Sequence, residues 1–389
     1  MLEDIKGLGL DFLPGKDKDE FVLKINDIEI PVLSARVIRA FDTCADSWSA
    51  NVLWNLEEQK ESMFFGAPES NSLFDAMKPL SWYDSKVYLG GTLVNTGRVY
   101  SGSNSVTSKK TAKELGGFSY TIDIVDSNVW PPFEFKKMTL LKIVERVLEG
   151  YDIKVIAEPS ALVEDKVFKK VSCHGSEKIF AFLTRLARQR NSIISNNVQG
   201  NVLITTADVN QKPVGTITDG KLPGYEHSIK WDGRKLFGYY KALAHSPGRR
   251  SKTKRKFKSE IAVDHTVPGD RRITVRADES DIAELQNPIE WYRSKQLVEA
   301  LTLQFPVVGW YDPSGGLWRP NTLVTVESTY LEIPNGYTFF IRAVEYQYSN
   351  RGNISILHLV PKEAYTGKTP KNPWEGNSTQ SNFIDKVLG

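Results

Sequence analysis

Side chains able to carry acid–base, nucleophilic or metal chemistry are few in this 389-residue chain, and they are scattered. The histidines, His174, His227, His245, His265 and His358, stand singly. None has the H-E-x-x-H spacing that sets two imidazoles and a base on one helix face, so structural histidines are expected. Cys44 and Cys173 are too far apart in sequence for a disulfide framework or a four-ligand zinc site without distant partners, and read as small buried hydrophobes. Cys173 and His174 are adjacent, but adjacency along a chain does not aim a thiolate and an imidazole at one substrate atom. Ser314-Gly315-Gly316 lacks the G-x-S-x-G strand-to-helix frame of a nucleophile elbow. Among 47 acidic residues some carboxylate pair always looks suggestive, so spacing alone does not decide against glycoside hydrolysis. No glycine-rich phosphate loop is found. The sequence argues against an enzyme and nominates no catalytic, cofactor-binding or metal residue.

The one dense charge feature is Arg249, Arg250, Lys252, Lys254, Arg255, Lys256 and Lys258, seven cations within ten residues in a chain whose net charge is only +3. Such a block is a candidate polyanion contact, yet like charges so close repel, extend the chain and more often form a solvated loop. No helix-turn-helix spacing, zinc finger or aromatic RNP pattern lies beside it to read a base sequence.

These residues sit on an ordinary globular background. At 40% hydrophobic and 25% charged, the chain is long enough for several domains with their own cores. No apolar run approaches the roughly 20 residues that cross a bilayer, and the N-terminus lacks the pattern of a secretory signal, so synthesis in a cytoplasm is expected.

The positioning elements are mainly strands. Alternation predicts strands at residues 21–25, 28–33, 36–41, 48–54, 85–89, 92–100 and 118–125, with Asn26-Asp27 and Gly90-Gly91 as two-residue turns. A sheet this long can curl and close, so residues 1–130 read as a small β-barrel. The character changes at Trp130-Pro131-Pro132. Residues 131–212 read as an α+β domain of two helix-strand units. One helix is capped by Thr139 and ends near Gly150, the other is capped by Ser176, and strands are expected at 153–156, 192–195 and 201–205. Residues 213–366 return to strands, with an inserted helix over 288–303 that begins at Pro288, and read as a second barrel. The expected fold is thus α+β and mainly β, with two small antiparallel barrels about an α+β domain.

The most informative stretch is 305–328. It predicts a hairpin of strands 307–311 and 323–326 through Asp312-Pro313-Ser314-Gly315-Gly316. Trp310, Gly316, Trp318, Pro320 and Asn321 form its structural motif, with both indoles capping one core and Pro320 fixing where the chain re-enters the sheet. Residues 367–389 form a polar, proline-containing tail too short to fold alone, whose Trp374, Phe383, Ile384, Val387 and Leu388 are candidate partner-docking residues.

The stretches 139–155, 176–195 and 200–204, together with Gly309-Trp310, Gly316-Leu317-Trp318, Pro320-Asn321-x-Leu323-Val324-Thr325-Val326 and Pro361-Lys362-Glu363, carry a likeness to a known family. The sequence resembles the baseplate hub proteins of contractile-tailed phages, most closely the Mu type. Those proteins are related to the hub of the T-even phages and to the N-terminal part of type VI secretion spike proteins. Residues 57–77 have no counterpart in the pattern. The resemblance implies a homotrimeric ring of pseudo-six-fold symmetry in the virion's tail baseplate. Its partners would be the tail tube protein, the spike protein and baseplate wedge proteins, with non-specific DNA contact in the channel and no cofactor. A wall-degrading enzyme of the tail tip and a nucleic-acid-binding protein using residues 249–258 are the competing readings.

Overall fold

The computed structural model describes residues 17–52, 76–106, 111–163, 165–219, 226–245, 257–264, 267–277 and 286–365. β1 (Phe21–Ile25) returns into β2 (Ile28–Ile30) through Asn26 and Asp27, at φ 50° and 62°, the left-handed pair of a tight hairpin. β3 (Val32–Ala40) pairs with β4 (Ser47–Val52), and β5 (Asp84–Leu89) pairs with β6 (Thr92–Val106) through Gly90 and Gly91, also at positive φ. A Cβ at Gly90 would lie 2.0 Å from the Tyr311 hydroxyl and 2.6 Å from the Lys18 carbonyl oxygen, so this turn accepts no side chain. β7 (Thr111–Ser119) joins both β4 and β6. The strand expected over 118–125 is not formed, because the chain leaves the sheet after Ser119 and coils into helix α1 (Ile122–Asp126). So short an apolar alternation fits strand or helix equally; here the helical turn carries Ile124 into a second core, where it is fully buried.

That second core belongs to β8 (Glu134–Met138), α2 (Leu140–Val147), β9 (Val155–Ala157), α3 (Pro159–Leu162), β10 (Phe168–Ser172), α4 (Ile179–Arg188), β11 (Ile193–Asn196) and β12 (Val202–Thr205). The Thr139 hydroxyl caps α2 by accepting from the Lys142 N–H at 3.4 Å, and Asp165 accepts the Leu140 and Leu141 N–H groups at 2.6 and 3.2 Å. α4 starts at Ile179, so the cap expected at Ser176 falls instead at Lys178, which makes no side-chain cap bond. Its apolar stripe, Ile179, Phe182, Leu183 and Leu186, packs with Leu140, Ile143 and Val144 of α2 over Val202 and Ile204.

The chain then makes β13 (Thr216–Thr218), β14 (Ser228–Trp231), β15 (Tyr239–His245), β16 (Phe257–Val263), β17 (Arg272–Ala277), α5 (Gln286–Ala300), β18 (Leu301–Val308), β19 (Thr322–Ser328), β20 (Ile333–Ser349) and β21 (Gly352–Pro361). The helix expected over 288–303 ends at Ala300; Leu301 and Leu303 open β18, opposite Trp231 and Ile229. Leu-Thr-Leu-Gln-Phe alternates, and the strand period prevails over a continued helix. The hairpin expected between 307–311 and 323–326 is absent. β18 pairs with β14 and β21, while β19 pairs with β13 and β20. Left-handed residues at both ends of the intervening segment, Gly309 (φ 78°) and Asn321 (φ 62°), turn it away from either strand, and its own bridge joins Tyr311 to Leu317.

The fold is α+β and mainly β, with 49% of the described residues in strands. A 13-stranded sheet runs β14-β18-β21-β20-β3-β4-β7-β6-β5-β1-β2, with β19 and β13 branching from β20, and β15, β16 and β17 form a separate sheet. No pairing among the described strands closes this path into either of the two barrels expected from the sequence. The 17-residue β20 is long enough to take β19 beside its first half and β3 beside its second, which joins the N-terminal and C-terminal strand regions edge to edge. Val37, Trp48 and Val87 from one region share a core with Phe305, Phe339 and Val344 from the other.

Candidate functional site

The edge-to-edge join is tied by charge. β3 meets β20 from Ala35 opposite Tyr348 to Ala40 opposite Ala343. Across it Arg36 donates from Nε and Nη2 to the two oxygens of Glu345, each at 2.6 Å, a fork that delivers two charge-assisted bonds in one plane. Burial pushes the Glu345 carboxyl up, but the bonds from Arg36 and Gln347 outweigh it and hold the group below the usual glutamate value. A second tie runs from Arg342 Nε to Asp42 at 3.0 Å, with the Tyr365 hydroxyl donating to the same carboxylate at 3.1 Å. Deeper still, Arg39 donates to Asp46 at 3.2 Å, and the Asp46 N–H donates to Ser119 Oγ at 3.0 Å. Burial holds the Asp46 carboxyl above its ordinary value despite Arg39.

The aromatic motif lies against this join. Trp310 and Trp318 are 1% and 2% exposed in the same core. Trp310 Nε1 donates to the Gln347 carbonyl at 3.2 Å, the Trp318 N–H donates to the Trp310 carbonyl at 2.9 Å, and the Tyr346 hydroxyl donates to the Trp318 carbonyl. Gly316 is exposed in the turn, where its N–H donates to Asp312 Oδ1 at 3.3 Å. Asn321 is a staple to the α+β region. Its Oδ1 accepts from the Asp208 N–H at 3.0 Å, its Nδ2 donates to the Thr206 carbonyl at 3.2 Å, and its carbonyl accepts from Gln211 at 2.7 Å. Sequence reasoning picked out Pro320 and Asn321 but missed this linking role; a residue tolerant of positive φ just before a strand was the available signal. Beside the staple, a cavity of about 720 Å³ is walled by Arg39, Glu158, Asn196, Arg319 and Pro320.

The other sequence candidates do not converge on it. His174 is exposed, His227 packs on Phe305 with ring centres 4.2 Å apart, and His358, its pKa lowered by burial, lies 3.5 Å from Gln304. Cys44 and Cys173 are free and buried, burial pushes both thiols up, and each faces a backbone carbonyl. Among the described residues no group of three or more His, Cys, Asp or Glu side chains could hold a metal ion. Lys258 lies in β16 opposite Ala244. Arg249, Arg250, Lys252, Lys254, Arg255 and Lys256 are outside the described residues, as are Trp374, Phe383, Ile384, Val387 and Leu388. No helix among the described residues is long and apolar enough to cross a membrane.

Comparison with known proteins points to phage tails. Residues 121–206 match the family model of the second domain of gp44-like baseplate hub proteins, and residues 281–368 match the fourth domain of the Mu phage baseplate assembly protein GpP. The chain is 24% identical over 291 residues to the baseplate hub protein gp44 of Escherichia phage Mu, covering 71% of this chain and 74% of that one. The fold is similar to the crystal structure of the 43 kDa tail protein of prophage MuSo2 from Shewanella oneidensis, with a TM-score of 0.70 at 19% identity over 89% of this chain and 100% of the other. It is also similar to that of a tail protein from Neisseria meningitidis, with a TM-score of 0.72 at 20% identity over 89% and 98%. The chain is thus similar, in two of its segments and in fold, to the Mu-type baseplate hub proteins.

Proposed function

We propose that the protein is the structural hub of a contractile tail's baseplate, a homotrimer whose ring joins a six-fold tail tube to a three-fold spike and leaves a channel for DNA. One observation supports the reading: strand regions from the two ends of the chain are joined at β3 and β20 around a shared core, and in this reading each region is one unit of the ring. Three copies would then offer six near-equivalent positions to the tube and three to the spike through a closed heterologous ring. In this reading residues 1–130 and 213–366 are the two barrel-like units, 131–212 form the α+β domain, and 367–389 form a docking tail. The cations at 249–258 are a candidate polyanion contact, and DNA binding through them is the competing nucleic-acid-binding reading. Light scattering on the purified chain should give three copies, and the chain should co-purify with tube and spike proteins. A monomer, or clearing of peptidoglycan that depends on one carboxylate, would reject the reading in favour of a tail-tip hydrolase. Replacing the seven cations should lower the salt slope of DNA affinity.

A further inference from the structure

Arg188, at the end of α4, is half-buried, and no acid or hydrogen-bond acceptor among the described residues meets its guanidinium. Comparable arginines are paired. Arg39 meets Asp46 at 3.2 Å, Arg342 meets Asp42 at 3.0 Å, and Arg185, one turn earlier on α4, meets Glu177 at 3.1 Å. Burial pushes the Arg188 guanidinium down to about 10, with no neighbouring charge to offset it. The group is nevertheless held in place, over the ring of Trp291 on α5 and 3.4 Å from its centre. That contact fixes the cation but satisfies none of its N–H donors. Nε is shut off from water without a partner, while the side chain as a whole stays partly exposed, so the terminal nitrogens are its open end.

An unpaired, desolvated cation is costly, and a guanidinium gains most from a planar acceptor that takes two parallel bonds. Carboxylate and phosphate both offer that geometry. The local charge favours carboxylate, because phosphate groups are met by clusters of cations, and here the neighbouring ones are taken. Arg185 is held by Glu177, and Lys295, one turn along α5 from Trp291, lies 3.6 Å from Glu299. Arg188 does not line the cavity beside the Asn321 staple. It is a surface site of one charge, which retains a carboxylate when the rest of the ligand is held nearby, as on a docked protein.

We infer that the Arg188 guanidinium, braced on Trp291, receives one carboxylate, the side chain of an aspartate or glutamate on a protein that packs across α4 and α5. Such a contact clamps together the two helices, one from each of the segments that match hub-family domains. The inference does not rest on the hub reading, because it requires only the unpaired cation and its aromatic brace.

The test uses the full chain labelled with 5-fluorotryptophan, with the Trp291 fluorine resonance identified by its loss in Trp291→Phe. Acetate, a single carboxylate, is titrated against chloride at constant ionic strength. The Trp291 resonance should move saturably while those of the other tryptophans stay still. Arg188→Gln should abolish the movement, and Arg188→Lys, which keeps the charge but loses the fork, should weaken acetate binding about tenfold. Unmoved resonances from the buried Trp310 and Trp318 would show that both variants still fold. In complex with the proteins that co-purify with the chain, the Trp291 resonance should sit at its acetate-saturated position. A resonance that ignores acetate, or that responds equally to chloride or in Arg188→Gln, would overturn the assignment. So would saturation by inorganic phosphate at a lower concentration than by acetate, or a Trp291 resonance that stays at its free position in the complex.

Discussion

Trp310 and Trp318 differ in one respect that mutation can read. Both indoles are buried in the same core, but Trp310 Nε1 donates to the Gln347 carbonyl at 3.2 Å, whereas Trp318 Nε1 is buried without a partner. An indole removes about 150–250 Å² from water, which at roughly 25 cal/mol per Å² is about 4–6 kcal/mol of burial. Large-to-small exchange of a buried tryptophan costs about 3–5 kcal/mol. The folded protein already bears a penalty of about 1–3 kcal/mol for the unpaired Trp318 N–H, which Trp318→Ala relieves, so its cost should fall near 3 kcal/mol. The phenylalanine exchanges separate the two effects. Each removes a similar volume, but Trp310→Phe leaves the Gln347 carbonyl short of a donor, while Trp318→Phe removes an orphan. Trp310→Phe should therefore cost about 1 kcal/mol more than Trp318→Phe. Urea unfolding followed by circular dichroism, with both variants compared at equal slope, gives the difference. Equal costs, or the reverse order, would refute the placement of the two indoles, as would an unchanged midpoint for Trp318→Ala.

The Glu345 carboxyl is held below its ordinary value of 4.5 by Arg36, so its contribution to stability is present above that value and is lost as pH falls through the folded-state pKa. Glu345→Gln should flatten the acid limb of stability below about pH 4.5 and leave the slope near neutrality unchanged; an unaltered acid limb would count against the tie. Asn321→Gly keeps the left-handed backbone but removes two side-chain bonds to residues 206 and 208, at about 1–3 kcal/mol, whereas Asn321→Ala adds backbone strain and should cost more. Limited proteolysis within 206–213 should rise in both variants, and full protection would argue against the staple.

What the sequence revealed locally, the fold retains. The Asn26-Asp27 turn, the Thr139 cap and the burial of Trp310 and Trp318 together depend on neighbours along the chain or on residue type. Residues 118–125 and 301–303 misled because a few apolar residues satisfy either period, and the deciding contacts, Ile124 in the second core and Leu303 beside Ile229, come from elsewhere. The hairpin expected at 307–326 failed because Gly309 and Asn321 change the chain's direction at each end. The join was least legible of all. Arg36 and Glu345 are 309 residues apart in sequence, and neither has a local pattern that names the other.

In the proposed hub one chain fills two positions of a six-membered ring. A cryo-electron microscopy map of the purified assembly, refined without imposed symmetry, tests that arrangement. It should hold three copies, with residues 1–130 and residues 213–366 alternating around one channel. Six copies each contributing a single unit, or a stable monomer with no ring, would contradict it.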